Sequence, residues 1–285
     1  MGVSTFRYGP PPLPRTEAAR AVEIVLAAAA WHLGGAVCYQ TISSDASSPA
    51  ADDAFAGLHQ FLADSFPRVR AGLRRERVNQ FSLLYTWTGR DPSLQPILLT
   101  AHLDVVPVED GTEGDWTHPP FAGRVADGFI WGRGTLDVKQ SVLAMLETAE
   151  FLLGEGFRPD RTIYFAFGHD EEIGGKRGAG EITRRLRGLG QSMAFSLDEG
   201  LAITQGIIPG LAKPAALIGI GEKGYASFEL TSRGPGGHSS RPLRPTVIGR
   251  LGRALDRLET NPMPARLQGP GADLFRYLAP HFSFA

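Results

Sequence analysis

The chain has 285 residues, of which 42% are hydrophobic and 21% are charged. This composition is typical of a globular protein, and the length suits one large domain or one domain with a smaller second part. The 29 basic and 30 acidic residues give a net charge of −1. A polyanionic partner is therefore disfavoured, and we expect no nucleic-acid binding. Cys38 is the one cysteine, which excludes an intrachain disulfide framework and is typical of a reducing compartment.

The N-terminal region gives no sign of a membrane anchor or a secretory signal. Residues 10–14 are rich in proline and predict an extended arm. The most apolar stretch, residues 21–35, contains Glu23 and His32 and is too short and too mixed to span a bilayer. We read an amphipathic helix over residues 18–33 and predict a cytoplasmic protein without a membrane partner.

Helical and extended segments alternate along the next part of the chain. Apolar residues at steps of three and four predict helices at 18–33, 52–66, 138–154 and 178–189. Short β-branched and aromatic runs predict strands at 80–86, 96–101, 161–167 and 192–197. Strands that alternate with helices indicate the α/β class, here a mainly parallel sheet with helices on both faces.

The pattern changes after about residue 221. Residues 224–232 alternate between apolar and polar side chains and predict a strand, a glycine-rich turn follows at 234–238, and residues 246–258 predict a helix. We therefore predict an incomplete catalytic domain over 1–220 and the start of a smaller α+β domain over 221–285.

Acidic and histidine side chains follow the predicted strands at the points where those strands end. The carboxyl ends of parallel strands meet at one edge of a sheet, so these groups can converge although they are far apart in sequence. Imidazole and carboxylate together suit Zn²⁺ or a similar divalent ion, and an excess of carboxylates indicates two ions. The candidate ligands are His102 with Asp104, Asp137, Glu171 with Glu172, and Asp198 with Glu199.

Each candidate also has a plainer interpretation. His102 and Asp104 lie two apart on a strand and point the same way, so Asp104 can orient the imidazole, but a core histidine beside a turn aspartate gives the same pattern. Asp137 precedes a helix and could be its N-cap. Glu171 and Glu172 could form a solvated turn, or one could bind metal while the other activates water. His238, in a glycine-rich turn, reads on sequence alone as a loop histidine.

Five motifs in order resemble the M20 metallopeptidases. They are HLDVVP at 102–107, WGRGTLDVK at 131–139, GHDEEIGG at 168–175, LDEG at 197–200 and GGHSS at 236–240. The resemblance spans about residues 18–264 and is strongest to the branch of carboxypeptidase S and the N-acyl-amino-acid hydrolases, with aminoacylase-1 nearby. It implies metal-dependent hydrolysis of an amide bond to an amino acid, by a carboxypeptidase, a dipeptidase or an N-acyl-amino-acid amidohydrolase.

The resemblance also implies a site with two zinc ions, for which Co²⁺ or Mn²⁺ are alternatives. By motif, His102 binds one ion, Asp137 bridges both and Glu172 binds the other. Glu199, in preference to Asp198, completes the first ion. The resemblance further implies a cis peptide bond between Asp137 and Val138.

The remaining motif residues have catalytic roles in the family. Glu171 matches the general base, and Asp104 matches the residue that orients His102. His238 matches a lid histidine that reaches the partner subunit's active site and polarises the substrate carbonyl. The resemblance therefore implies a homodimer formed through the lid domain, which residues 221–285 begin, and a small peptide or N-acyl amino acid as substrate.

Two departures from the family pattern matter. Gln140 stands where the family usually has glycine. Family members also continue beyond the end of this sequence, into a part that supplies the last zinc-binding histidine and an arginine for the substrate carboxylate; His281 lies too early to replace that ligand. The alternative expectation is therefore a shortened, catalytically silent chain that acts at most as a binding protein.

Overall fold

The computed structural model describes residues 24–44, 49–222, 224–242 and 244–282, with residues 49 and 50 described for the main chain only. The predicted arm at 10–14 and the beginning of the predicted helix at 18–33 lie outside these residues. The described chain divides into two compact units, one ending at Glu199 and the other beginning at Gly200.

The first unit contains five helices and seven strands among its described residues. The helices are α1 (Leu26–Val37), α2 (Pro49–Ser65), α3 (Pro67–Gly72), α4 (Lys139–Gly154) and α5 (Ala179–Gly188). The strands are β1 (Arg74–Val78), β2 (Ser82–Trp87), β3 (Ile97–His102), β4 (Arg124–Ala126), β5 (Phe129–Trp131), β6 (Ile163–Gly168) and β7 (Phe195–Leu197). Short 3₁₀ turns cover Glu113–Asp115 and Glu171–Ile173.

Five strands form one sheet in the order β1-β2-β6-β3-β7. Strand β6 pairs in parallel with β3, and β3 pairs in parallel with β7. Strand β2 runs antiparallel to both β1 and β6, so four of the five strands point the same way. The predicted α/β fold with a mainly parallel sheet is confirmed. Because β3 lies between β6 and β7, the carboxyl ends of these three strands are neighbours.

Alternate residues of the central strands pack into two separate hydrophobic cores, one on each face of the sheet. On one face, Leu83 of β2 and Phe165 of β6 pack in a large cluster with residues of α2, α3 and α4. On the other face, Leu84 and Tyr164 pack against Ile182 of α5. The period-two alternation of strand side chains explains this division, because a strand covered on both sides must be apolar on both. The predicted helices on both faces are present.

Among its described residues, the second unit contains a small antiparallel pair of strands and two α-helices. Strand β8 (Ile203–Thr204) pairs with β9 (Ala215–Ala216), and the helices are α6 (Val247–Thr260) and α7 (Pro270–Leu278). Helix α6 agrees with the helix predicted at 246–258, and the Thr246 side chain caps it by accepting from the Gly249 amide at 3.0 Å. The prediction of a strand at 224–232 is wrong, because no described residue pairs with that segment.

No helix in the described part of the chain combines the length and the apolar character that crossing a membrane requires.

Candidate metal centre

The carboxyl ends of β3, β6 and β7 bring most of the predicted site residues together. His102 ends β3, the turn Glu171–Ile173 follows β6, and Glu199 comes two residues after β7. Asp137 arrives separately, in the loop that precedes α4. All of these residues belong to the first unit.

His102 is the centre of the group, and its side chain is 2% exposed. Its Nδ1 donates to the main-chain oxygen of Asp104 at 3.0 Å and lies 3.3 Å from Asp104 Oδ1. A proton on Nδ1 leaves Nε2 as the ligand atom. The carboxylate oxygens nearest Nε2 belong to Asp137 at 3.1 Å, Glu199 at 3.3 Å and Glu171 at 3.8 Å.

Asp104 is fully buried, and its carboxylate accepts three further hydrogen bonds. The main-chain amides of Glu171 and Glu172 each donate to it at 3.1 Å. The Ser43 hydroxyl donates to it at 2.6 Å. Asp104 therefore connects the imidazole of His102 to the loop that carries both glutamates, which is the arrangement expected of an orienting residue.

Asp137 reaches His102 from the loop before α4, and the peptide bond to Val138 is cis. The N-cap position of α4 is occupied by Val138, with no side-chain capping bond. The interpretation of Asp137 as a helix cap is therefore not supported. Its side chain is 69% exposed and its Oδ1 faces the imidazole.

In the part of the chain that the structure describes, two sets of three side chains have the geometry to hold a metal ion. One set is His102, Asp137 and Glu172, and the other is His102, Glu171 and Glu199. Within each set, one ligand atom from every residue lies within 4.8 Å of the others. One imidazole and four carboxylates form a donor set that fits divalent ions such as Zn²⁺.

Comparison with known proteins agrees with this geometry. Residues 98–283 match the model of Peptidase family M20/M25/M40, which is more than half of the chain. The chain belongs to the M20 peptidase family. The family predicted from the five motifs is thereby confirmed.

Several curated proteins resemble this M20 chain in sequence. Probable carboxypeptidase S-like 2 of Dictyostelium discoideum is 46% identical over 244 residues, covering 84% of this chain and 46% of that protein. Human N-fatty-acyl-amino acid synthase/hydrolase PM20D1 is 42% identical, covering 86% and 48%. Carboxypeptidase S of Saccharomyces cerevisiae is 40% identical, covering 81% and 41%. The chain thus spans less than half of the length of these relatives.

Solved structures share the fold of the M20 chain. Human carnosine dipeptidase 1 superposes with a TM-score of 0.51 at 21% identity, covering 62% of this chain and 39% of that one. The M20 family metallo-carboxypeptidase Sso-CP2 from Sulfolobus solfataricus superposes with a TM-score of 0.50 at 17% identity, covering 61% and 38%. At these identities the likeness concerns the fold alone.

The electrostatics of the M20 site favour a bound cation. Burial raises the pKa of the Glu172 carboxyl, and the charge of Asp137 raises it further. Burial likewise raises the pKa of Glu199, with additional contributions from Asp137 and Glu171. Carboxylates whose ionisation is disfavoured by burial and by neighbouring carboxylates are stabilised by positive charge. The donor set therefore fits a divalent cation chemically as well as geometrically.

The same crowding acts in the opposite direction on His102. Burial lowers the pKa of its imidazole, but the hydrogen bond to Asp104 and the charges of Asp104, Glu199 and Glu171 raise it to about 9. A metal ion at Nε2 therefore competes with a proton. For Asp104, burial raises the pKa, whereas the bonds from His102 and Ser43 lower it, and the net pKa lies below its usual value.

Besides Asp104, which contacts His102 from behind, two predicted site residues are not part of either set. Asp198 is exposed, and its carboxylate accepts the amide of Glu199 at 3.0 Å. His238 belongs to the second unit, where its Nδ1 lies 2.9 Å from the Ser240 hydroxyl. Sequence reasoning missed Ser43, which contacts Asp104 from 61 positions earlier in the chain. In the sequence, Ser43 is a serine in a predicted loop that contains none of the five motifs, so no pattern indicated its contact with Asp104.

Proposed function

We propose that this chain carries the metal centre of an M20 hydrolase that cleaves an amide bond to an amino acid. The observation that supports the proposal most strongly is the environment of His102 Nε2, which faces oxygens of Asp137 and Glu199 at 3.1 Å and 3.3 Å. An imidazole oriented by a buried carboxylate and surrounded by further carboxylates has the donor set of a hydrolytic metal site.

We propose two zinc ions at this site, for which Co²⁺ or Mn²⁺ could substitute because oxygen-rich sites accept several divalent ions. His102 and Glu199 would hold one ion, Glu172 the other, and Asp137 both. The two three-residue sets include His102, Asp137, Glu172 and Glu199 but not Asp198, which favours Glu199 over Asp198 as a ligand. They group Glu199 with Glu171 and not with Asp137, so the assignment of Asp137 to both ions rests on the motif. Four carboxylates, from Asp137, Glu171, Glu172 and Glu199, carry the charge that two divalent cations neutralise.

Glu171 is the proposed general base. A divalent ion bound at this site would polarise the scissile carbonyl and lower the pKa of water. Glu171 accepts the proton of the attacking water and later delivers it to the leaving amine. Its amide is held by Asp104 at 3.1 Å, while its side chain is 54% exposed and so is accessible to substrate. Asp104 keeps Nε2 of His102 directed at the site.

The substrate is proposed to be a small peptide or an N-acyl amino acid. This class follows from the names of the relatives, which include a carboxypeptidase and N-fatty-acyl-amino acid synthase/hydrolases. We further propose that residues 1–220 form the catalytic part, that residues 221–285 begin a lid that dimerises, and that His238 polarises the substrate carbonyl. The single Cys38 supports a reducing compartment, for which we propose the cytoplasm.

The test is hydrolysis of a panel of dipeptides and N-acyl amino acids by the zinc-loaded chain and by Glu171→Gln. We expect the variant to lose roughly 10²–10⁴-fold in turnover, because it lacks the base, while it binds the same amount of zinc. Glu155→Gln, at an exposed position in the same unit, is the matched control and should retain full turnover.

Two results would contradict the proposal. Unchanged turnover in Glu171→Gln would refute the assignment of the base. Zinc binding without turnover in the unaltered chain would support the alternative, a catalytically silent binding protein.

A further inference from the structure

Lys139 is a buried lysine that the proposed mechanism does not use. It is the first residue of α4, two positions after Asp137, and it is 1% exposed. A buried lysine costs free energy unless its hydrogens find acceptors, so its partners indicate why it is there.

The partners of Lys139 are main-chain carbonyls at the end of α1. Its Nζ donates to the oxygen of Ala36 at 3.0 Å and to the oxygen of Tyr39 at 2.6 Å. Its own amide donates to the oxygen of Gly134 at 3.0 Å, in the loop that leads to Asp137. Lys139 therefore fastens the Asp137 loop to residues 36–43, which we call the 36–43 segment.

The 36–43 segment is attached equally firmly to the His102 side of the site. The Thr41 hydroxyl donates to the oxygen of Leu103 at 2.6 Å, and the Val105 amide donates to the oxygen of Thr41 at 3.0 Å. The Ser43 hydroxyl donates to Asp104. One short segment thus contacts both Lys139, which follows the loop that carries Asp137, and residues 103–105, which follow β3.

Asp137 itself has little else to hold it. Its side chain is 69% exposed, and its Oδ1 lies within hydrogen-bonding distance of His102 Nε2, at 3.1 Å. The position of its carboxylate therefore depends on how the main chain is fixed on either side. Buried Val138 and Lys139 supply that support on the helical side.

We propose that Lys139 is a positioning residue that sets the Asp137 carboxylate relative to His102 through the 36–43 segment. The inference rests on the proposed metal site. Its prediction is specific: loss of the two Nζ hydrogen bonds weakens metal binding in a chain that still folds, because Asp137 no longer stays at the distance that an ion requires.

The experiment is a Co²⁺ titration of the full chain, followed by absorption spectroscopy, with circular dichroism to verify folding. Lys139→Met keeps the length and the apolar stem of the side chain but lacks the donors. We expect its Co²⁺ affinity to fall 10–100-fold. Lys213→Met is the same substitution at an exposed position of the second unit, and it should bind Co²⁺ like the unaltered chain.

Any outcome other than a loss of Co²⁺ affinity in a folded variant overturns the inference. Unchanged Co²⁺ affinity in folded Lys139→Met, with or without a lower melting temperature, would make Lys139 purely structural. If Lys139→Met does not fold, Lys139→Gln is tested in its place, because its amide still donates although it is too short for both carbonyls. Failure of both variants to fold would also make the role structural. Absence of Co²⁺ binding in the unaltered chain would instead refute the proposed function, and this inference with it.

Discussion

At the scale of single residues, the buried carboxylate of Asp104 is stabilised by hydrogen bonds and contacts the imidazole of His102. It receives hydrogen bonds from two amides and the Ser43 hydroxyl, so its charge is compensated without a direct cationic neighbour other than His102. The cost of burying a charged group is offset only when its oxygens are satisfied. The Ser43 contact is therefore expected to matter both for stability and for the orientation of His102.

Ser43→Ala removes one of these donors. We expect the free energy of unfolding to fall by about 1–3 kcal/mol, because a buried acceptor loses its partner, and Co²⁺ affinity to fall about tenfold. Urea denaturation and Co²⁺ titration measure the two effects. Ser93→Ala removes a hydroxyl that donates to Asp91 at the same 2.6 Å on the exposed surface, and it should cost less than about 0.5 kcal/mol. Equal effects at the two positions would contradict this role of Ser43.

His59 is a buried histidine outside the site. Its Nε2 donates to the oxygen of Phe81 at 2.9 Å. Burial lowers the pKa of its imidazole to about 4; the Phe81 carbonyl opposes this shift, and the charges of Arg75 and Arg77 add to it. The folded chain therefore keeps His59 neutral at a pH where the unfolded chain protonates it.

The sign of the resulting pH dependence follows directly. Between pH 6.5 and about 4 the unfolded state binds the extra proton, so stability falls as the pH is lowered through this window, by about 3 kcal/mol if the whole shift is realised. His59→Gln retains a donor for Phe81 but does not titrate. Urea denaturation at about pH 7 and about pH 4.5 should show a smaller loss for the variant. If the difference in unfolding free energy between the variant and the unaltered chain is the same at both pH values, His59 is not the group responsible for the pH dependence.

At the scale of elements, the sequence predicts those strands whose own residues have a clear apolar pattern. Strands β3 and β6 are apolar runs, and both were predicted to within two residues at each end. Strand β1 was missed because its sequence, RRERV, is arginine-rich and exposed. It is a strand because β2 offers it a pairing edge, which is information that no local pattern contains.

The β4–β5 hairpin was also missed, although a local signal was present. Asp127 and Gly128 connect the two strands, and both have positive φ, at 55° and 81°. An Asp-Gly pair is the preferred connection for a two-residue hairpin because both positions tolerate this conformation. The strands are only three residues long, which is too short for periodicity to reveal.

Helix α1 approaches the loop before β4 so closely that only glycine fits. A Cβ at Gly123 would lie 1.9 Å from the oxygen of Gly34. Gly123→Ala should therefore force the helix and the loop apart. Gly111→Ala is the matched control, because Gly111 also has positive φ but has nothing within 4 Å of its Cβ position.

Thermal or urea unfolding of the two variants distinguishes the cost of the clash with Gly34 from the cost of the positive φ. Both substitutions carry the cost of positive φ, so the difference between them reports the clash with Gly34, which we expect to be about 1–3 kcal/mol. Equal destabilisation by the two variants would mean that α1 moves away freely.

At the scale of the whole molecule, topology decides how much of the site is visible in the sequence. His102 and Glu199 are distant in the chain, yet predicting a parallel sheet was enough to predict that their strand ends meet. The contacts that support the site could not be predicted from the sequence. Ser43 and Lys139 meet partners that are far away in the chain, and the conformation of the loops decides which partners those are. The roles of the ligands and of His238 stay predictions.

The central claim concerns metal binding by the first unit, and the most direct measurement is the zinc content per chain after reconstitution. We predict two ions for the unaltered chain, at most one for Asp137→Asn, which removes the carboxylate that we propose as the bridge, and two for His238→Ala, which lies in the other unit. No bound zinc, or a content that Asp137→Asn leaves unchanged, would contradict the account.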